Sequence, residues 1–358
     1  MGSVAGLDTL RFFAAAWVAL FHGARFPLDR ILAPDSLASQ VLIALNNGLF
    51  DGVASVMLFF VISGYVIHRA AFRQEKLAAG RFLLRRLTRI IPPVVILYLA
   101  CHLAGPDYEA SLSRVLWSLY CEIAYYLIYP LLFLAFKRGW TLPVLVLSTL
   151  AAVVVLLCIG PLDYYWEAPT LLLMVIGLPN WILGCLLAER RAASRPVVVT
   201  PAAIWAWRLG AIVLSALLKA LVSHGPFRVG YPESHWIIAL YAFFWVSREL
   251  DFYRFRAAPS WFEAAGRASF SLYLVHGPIL ELFGLYRHPV GSLGLAAGTL
   301  LWFAQLAAIV LATWLFYLVI EAPCHRFARN IGASPGKPVP SPGSAREKFR
   351  REPAHESS

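Results

Sequence analysis

The chain has 358 residues, 59% of them hydrophobic and only 14% charged, whereas a soluble globular protein carries roughly 25% charged residues. Successive apolar runs near the roughly 20 residues that cross a bilayer exclude a soluble enzyme and define an all-α, polytopic membrane protein. The formal charge of +11 reads as a membrane-topology signal rather than a nucleic-acid footprint, because the basic residues concentrate in alternate loops.

About ten transmembrane helices are expected, over 7–26, 49–67, 90–105, 115–136, 141–160, 169–188, 205–223, 235–249, 268–284 and 295–321. The weakest two are 205–223, interrupted by Arg208, and 235–249, which is short. No basic leader or small-residue cleavage site precedes Leu7, so the first helix is expected to be retained. Segments 69–89 and 326–351 each hold 7 Lys or Arg, while five arginines (Arg25, Arg30, Arg114, Arg228 and Arg287) lie in the alternate set of loops. This asymmetry predicts that both termini are cytoplasmic.

The first span carries Asp8, Arg11 and His22. Eleven helical steps of about 100° bring Arg11 and His22 to the same side, about 16.5 Å apart along the axis. Ionisable residues inside a span mark a functional interior or a water-filled cavity. Asp8 lies three residues before Arg11, the spacing of a helical ion pair. The plainer readings are that Asp8 and Arg11 anchor a helix end and that His22 is a structural histidine. The longest outer loop, about 27–48, is too small for a domain.

Asp51 opens the second span, and Ser63-Gly64 breaks its bulk. Small residues admit a second helix, the more economical reading, or a slender ligand. Arg85, Arg86 and Arg89 stand at the cytoplasmic mouth of the third span. Arg86 and Arg89 share a face, and guanidinium groups suit phosphate oxygens, yet the positive-inside rule alone also places arginines there. Glu122 lies about 9 Å into its span, a depth similar to that of His22. A carboxylate such as Glu122 or Asp51 would fix the tautomer of that histidine and raise its basicity. His276 lies near mid-span and suits either substrate contact or helix packing, and Glu321 closes the last span.

The five cysteines are scattered and without a Cys-x-x-Cys pair, so neither a disulfide framework nor a zinc site is indicated. Cys324 reads as a small apolar filler or an acylation site. The histidines lack ligand-spaced partners, and no metal is expected. Residues 331–358 are rich in Pro, Gly and Ser with mixed charge, and are expected to form a disordered cytoplasmic tail behind a 1–330 membrane domain.

Six segments in order resemble the acyltransferase-3 family of integral membrane acyltransferases. They are Leu7-Asp8 with Arg11 and His22, then LFFVISGY at 58–65, FLLRRLTRIIP at 82–92, WSLYCEIAYYLIYP at 117–130, SLYLVH at 271–276 and IEAP at 320–323. Ser55-Val56 and Tyr125-Tyr126 depart modestly from the usual pattern. The resemblance implies a ten-helix enzyme of the bacterial plasma membrane. It would move an acyl group, most commonly acetyl, from cytoplasmic acyl-CoA to a sugar hydroxyl of an exported polysaccharide or lipid-linked glycan. It also implies His22 as the essential catalytic residue and Arg11, Arg86 and Arg89 as donor residues. Arg85, Ser63 and Gly64 are expected along the donor path, Glu122 beside His22, and Asp51, His276 and Asp8 in supporting positions. The alternatives are acylation of a small secreted metabolite such as a macrolide, a glycan or lipid transporter or flippase, and an acyl-CoA-binding sensor. Membrane lipid is the expected surrounding and nucleic acid is not an expected partner; nothing in the residues fixes an oligomeric state.

Overall fold

The structure is a computed structural model that describes residues 4–160, 168–224 and 235–331, with side chains through 221 in the second stretch. The expected tail, 331–358, and Arg228 therefore lie outside the described residues, apart from Ile331. The described chain is helical throughout, without strands. In order the helices are α1 (Leu7–Ala19), α2 (Leu28–Ile31), α3 (Leu37–Gly48), α4 (Gly52–Ala71) and α5 (Ala79–Ala104). Then come α6 (Pro106–Lys137), α7 (Thr141–Ile159), α8 (Thr170–Ala193), α9 (Pro201–His224) and α10 (His235–Phe252). The chain finishes with α11 (Ser260–Arg267), α12 (Ser269–Phe283), α13 (Leu295–Phe316) and α14 (Ala322–Asn330). Among the described residues seven helical stretches are long and apolar enough to cross a membrane, one of them joining α3 to α4 and another α13 to α14. Segments α1, α10 and α12 are not among these seven. The 27–48 stretch expected as a loop is largely helix, in α2 and α3.

Hydropathy alone does not say which helices are central. The most apolar window, in α7, is only 11% buried, whereas that of α8 is 61% buried. The side chains of α7 therefore face lipid, and α4 and α8 form the middle of the bundle. These two helices approach closely because both are notched by glycine. A Cβ at Gly64 would lie 2.0 Å from the Trp181 carbonyl oxygen, and one at Gly184 would lie 2.1 Å from that of Val61. Gly64 thus serves helix packing, the more economical of the two readings of Ser63-Gly64, and it lines neither cavity described below.

Local chemistry sets the helix ends. Asp51 caps α4, its Oδ1 accepting from the Val53 and Ala54 amides at 3.0 and 3.1 Å. Its Oδ2 accepts from Ser215 Oγ at 3.1 Å. Asp51 is therefore a buried cap, and its hydrogen bonds run to α4 and α9 rather than to His22. Gly105, at φ 131°, is the single residue between α5 and α6, and Pro106 starts α6 where no amide donor is needed. The basic run 81–89 is helical, part of α5 rather than a loop before a span.

Several buried charges are matched within the bundle. Arg208 makes a two-pronged contact with Glu249 at 2.7 and 2.9 Å, and Arg191 meets Asp251 at 2.6 Å. His68 bridges Tyr129 and Glu189. These pairs tie α8, α9 and α10 together, and breaking one would strand a buried charge.

Replacing Gly64 with Ala should lower bundle stability in detergent by about 1–3 kcal/mol or more, since the added methyl meets backbone. Gly80→Ala, where a Cβ meets nothing within 4 Å, should be neutral or stabilising by up to about 1 kcal/mol. Thermal unfolding of the two variants checks the contrast.

Candidate active site

The first helix ends in a π turn, Leu20–Ala24, in which Gly23 adopts φ 129°. Wide turns of this kind often mark functional sites. Here it carries His22. Trp302 Nε1 donates to the Ala24 carbonyl at 3.0 Å, and Gln305 Nε2 donates to that of Gly23 at 3.4 Å, so α13 holds the turn from outside.

His22 meets His276 of α12. Nδ1 of His22 lies 2.8 Å from Nε2 of His276, with the rings nearly parallel, 3° apart. Nδ1 of His276 lies 3.1 Å from the Leu272 carbonyl. A carbonyl oxygen only accepts, so His276 carries its proton on Nδ1 and offers Nε2 as an acceptor. His22 must then donate through Nδ1, which leaves the Nε2 lone pair of His22 available. A second imidazole therefore fixes the tautomer, in place of the carboxylate expected from the sequence.

Glu122 lies elsewhere. Its Oε1 accepts from Ser63 Oγ at 2.7 Å and from the Tyr126 hydroxyl, while Trp181 Nε1 donates to Ser63 Oγ at 3.2 Å. Glu122 and Ser63 are in this way parts of one polar wall. Arg86, which lines the same chamber, lies 5.8 Å from the Tyr126 ring centroid and 5.9 Å from that of Phe82. Depth along a helix matched Glu122 to His22, but their faces differ: Glu122 turns toward α4 and α5, His22 toward α12.

Two cavities share this region. A chamber of about 110 Å³ is lined by Glu122, Ser63, Tyr126, Ser118, Phe59 and Tyr273, among others. A much larger vestibule of about 1350 Å³ is lined by eight arginines and by Asp8 as its one carboxylate. Arg11, Ile67, Arg86, Arg89 and Ser269 line both and so form the throat between them. The Asp8–Arg11 contact expected from the spacing forms at 2.9 Å.

His22 does not line the chamber. The link between the two is α12, where Ser269, Tyr273 and His276 recur at i, i+4 and i+7 on one face. Ser269 lines the throat, Tyr273 lines the chamber, and the Tyr273 and His276 rings lie 6.1 Å apart. Tyr273 is held by Ser118 Oγ at 2.7 Å and by the Val115 carbonyl at 3.1 Å. Glu321 fixes the start of α12, its Oε2 accepting from the amide and hydroxyl of Ser271 at 3.0 and 2.6 Å.

Arg85 lines the vestibule, but its Nε and Nη2 donate to the Ile331 carbonyl at 2.9 and 2.7 Å. That group braces α14 against α5 while it lines the vestibule. The sequence reading missed Ser269 and Tyr273, whose shared face with His276 was available from spacing alone. It also missed Arg267, Arg326 and Arg329, which looked like ordinary basic residues at the inner membrane surface.

Fold and site together define a polytopic helical membrane protein with an arginine-lined vestibule, an adjoining chamber and, beyond its Tyr273 wall, a paired imidazole. Residues 4–321 match the family model of the acyltransferase domain of acyltransferase-3 type, and the chain belongs to that family. It is accordingly a membrane acyltransferase. No curated protein and no solved structure matches the chain significantly.

His276→Phe keeps a ring in place but removes the acceptor for His22. Turnover should fall about 10²-fold through misorientation, while donor affinity stays within about twofold. Paired kinetic and binding measurements on the purified protein test this, and wild-type turnover would show that His22 needs no acceptor. Gly23→Ala should act in the same direction, because φ 129° strains any residue with a Cβ.

Proposed function

We propose that the protein transfers an acyl group from acyl-CoA, acetyl-CoA being the first candidate, to a hydroxyl of an exported polysaccharide or lipid-linked glycan. The observation that carries this reading is the joined pair of cavities: an arginine-rich vestibule opens through Arg11, Arg86 and Arg89 into a chamber whose Tyr273 wall adjoins the His276–His22 pair. The vestibule suits the phosphates of the donor, and the chamber suits its uncharged arm. Ten crossings, both termini in the cytoplasm and a bacterial plasma membrane belong to the same reading, with the vestibule on the cytoplasmic side.

In this mechanism the Nε2 lone pair of His22 takes the proton of the acceptor hydroxyl as its oxygen attacks the thioester carbonyl carbon. The carbon–sulfur bond breaks, the sulfur leaves as thiolate, and His22 returns the proton to it. The products are an ester and free CoA, and the protein is unchanged. His276 keeps His22 in the tautomer that has Nε2 free. Arg11 lies at the throat rather than beside His22, so its part is with the donor. Glu122, with Ser63 and Tyr126, gives the apolar chamber one polar wall that can hold an amide of the donor arm.

General-base help is worth about 10²–10⁴-fold in rate. His22→Ala should therefore lose about that much thiol release from acetyl-CoA with envelope glycans as acceptor, and still bind CoA. Release by the variant at the wild-type rate would remove His22 from the chemistry. CoA binding without release in the wild type, whatever the glycan, would favour the transport or sensing readings over the acyltransferase mechanism.

A further inference from the structure

The vestibule arginines fall into two groups. Arg11, Arg86 and Arg89 line both cavities, whereas Arg81, Arg85, Arg267, Arg326 and Arg329 line the vestibule alone. Of the second group, Arg81 and Arg85 belong to α5, Arg267 ends α11, and Arg326 and Arg329 belong to α14. In α14, Arg326 and Arg329 are three residues apart and so share a face, as Arg86 and Arg89 do on α5. Ala328 between them is buried, and both arginines are exposed. The helix is held in place by Arg85, bonded to the carbonyl of Ile331 just past its end. No carboxylate pairs with Arg326 or Arg329 among the described residues, and Asp8, the one carboxylate of the vestibule, is engaged by Arg11. Arg267, Arg326 and Arg329 thus add exposed guanidinium groups to a cavity of about 1350 Å³, in a part of its lining that the chamber does not share.

We infer that Arg326 and Arg329 of α14, with Arg267 of the same vestibule, bind a phosphate of the donor remote from its thioester. This rests on the proposed function above. CoA carries phosphate at two places, a pyrophosphate in line with the acyl arm and a separate 3′-phosphate on the ribose. With the arm in the chamber, the throat arginines meet the pyrophosphate. The α14 arginines then meet the 3′-phosphate, and they give the enzyme a preference for CoA over the same carrier without that group. Anionic lipid headgroups share the phosphate chemistry and supply the competing source.

The test measures the affinities of CoA and of 3′-dephospho-CoA for the full chain in nanodiscs of zwitterionic lipid. Wild type is compared with Arg326→Ala/Arg329→Ala, with the charge-keeping Arg326→Lys/Arg329→Lys, and with Lys137→Ala/Arg138→Ala, which removes two charges at the α6–α7 turn. A charge-assisted contact to phosphate is worth enough to shift affinity about tenfold. The α14 alanine pair should weaken CoA by about tenfold and dephospho-CoA by less than about twofold. The lysine pair should recover most of the loss, and the α6–α7 pair should leave the preference intact.

Equal weakening of both ligands by the α14 alanine pair, or no weakening of either, would overturn the inference while leaving the proposed function standing. Wild type that binds neither ligand would overturn both. In nanodiscs of anionic lipid, a headgroup site would appear as thermal stabilisation of wild type but not of the α14 alanine pair, with the CoA preference unchanged. That outcome would assign these arginines to lipid and also overturn the inference.

Discussion

The hydrogen bond between His22 and His276 is the contact on which the rest of the site depends. It joins the π turn at the end of α1 to the middle of α12, and its direction is fixed by the Leu272 carbonyl beneath His276. A carboxylate in the same position would orient His22 too, but it would bring a second charge into the bundle, where desolvation is costly. A neutral imidazole supplies the acceptor without that cost. Everything that holds α12 or the π turn consequently bears on His22: the bonds of Glu321 to Ser271, those of Tyr273 to α6, and the grip of Trp302 and Gln305 on the turn.

Charge is distributed unevenly through the bundle. On the α8–α10 side arginines are matched by carboxylates, as in Arg208–Glu249 and Arg191–Asp251, and these pairs are structural. The vestibule does the opposite, with eight arginines gathered against one aspartate. Like charges brought together repel, so the arrangement raises the energy of the unliganded protein and favours a polyanion entering the space. The positive-inside rule explains why arginines lie near that surface. It does not explain why those of α5, α11 and α14 converge on one cavity, and that convergence is a property of the packing.

Much of this was legible in the residues. The apolar runs gave the helical membrane class. The three-residue spacing gave the Asp8–Arg11 pair, and the motif order pointed to the family that the match over residues 4–321 establishes. The partners of individual side chains were not legible. Glu122 and His22 share a depth, yet depth leaves rotation about the helix axis undetermined, and Glu122 turns toward Ser63 instead. Gly64 and Ser63 are adjacent, yet one meets the backbone of α8 and the other the chamber. Asp51 became a helix cap because two free amides of α4 lie within reach.

The sequence by itself determined what each segment is, because hydropathy and helical spacing act over a few residues and do not depend on the remainder of the chain. It set the all-α class, the face shared by Ser269, Tyr273 and His276, and the presence of ionisable residues where lipid forbids them without a reason. Only the tertiary structure decided which of those residues meet. Pairing across helices depends on how each helix is rotated and notched against its neighbours, and that is settled by close contacts such as Gly64 against Trp181. The histidine pair and the arginine-lined vestibule follow from that packing, since their members come from helices far apart in the chain.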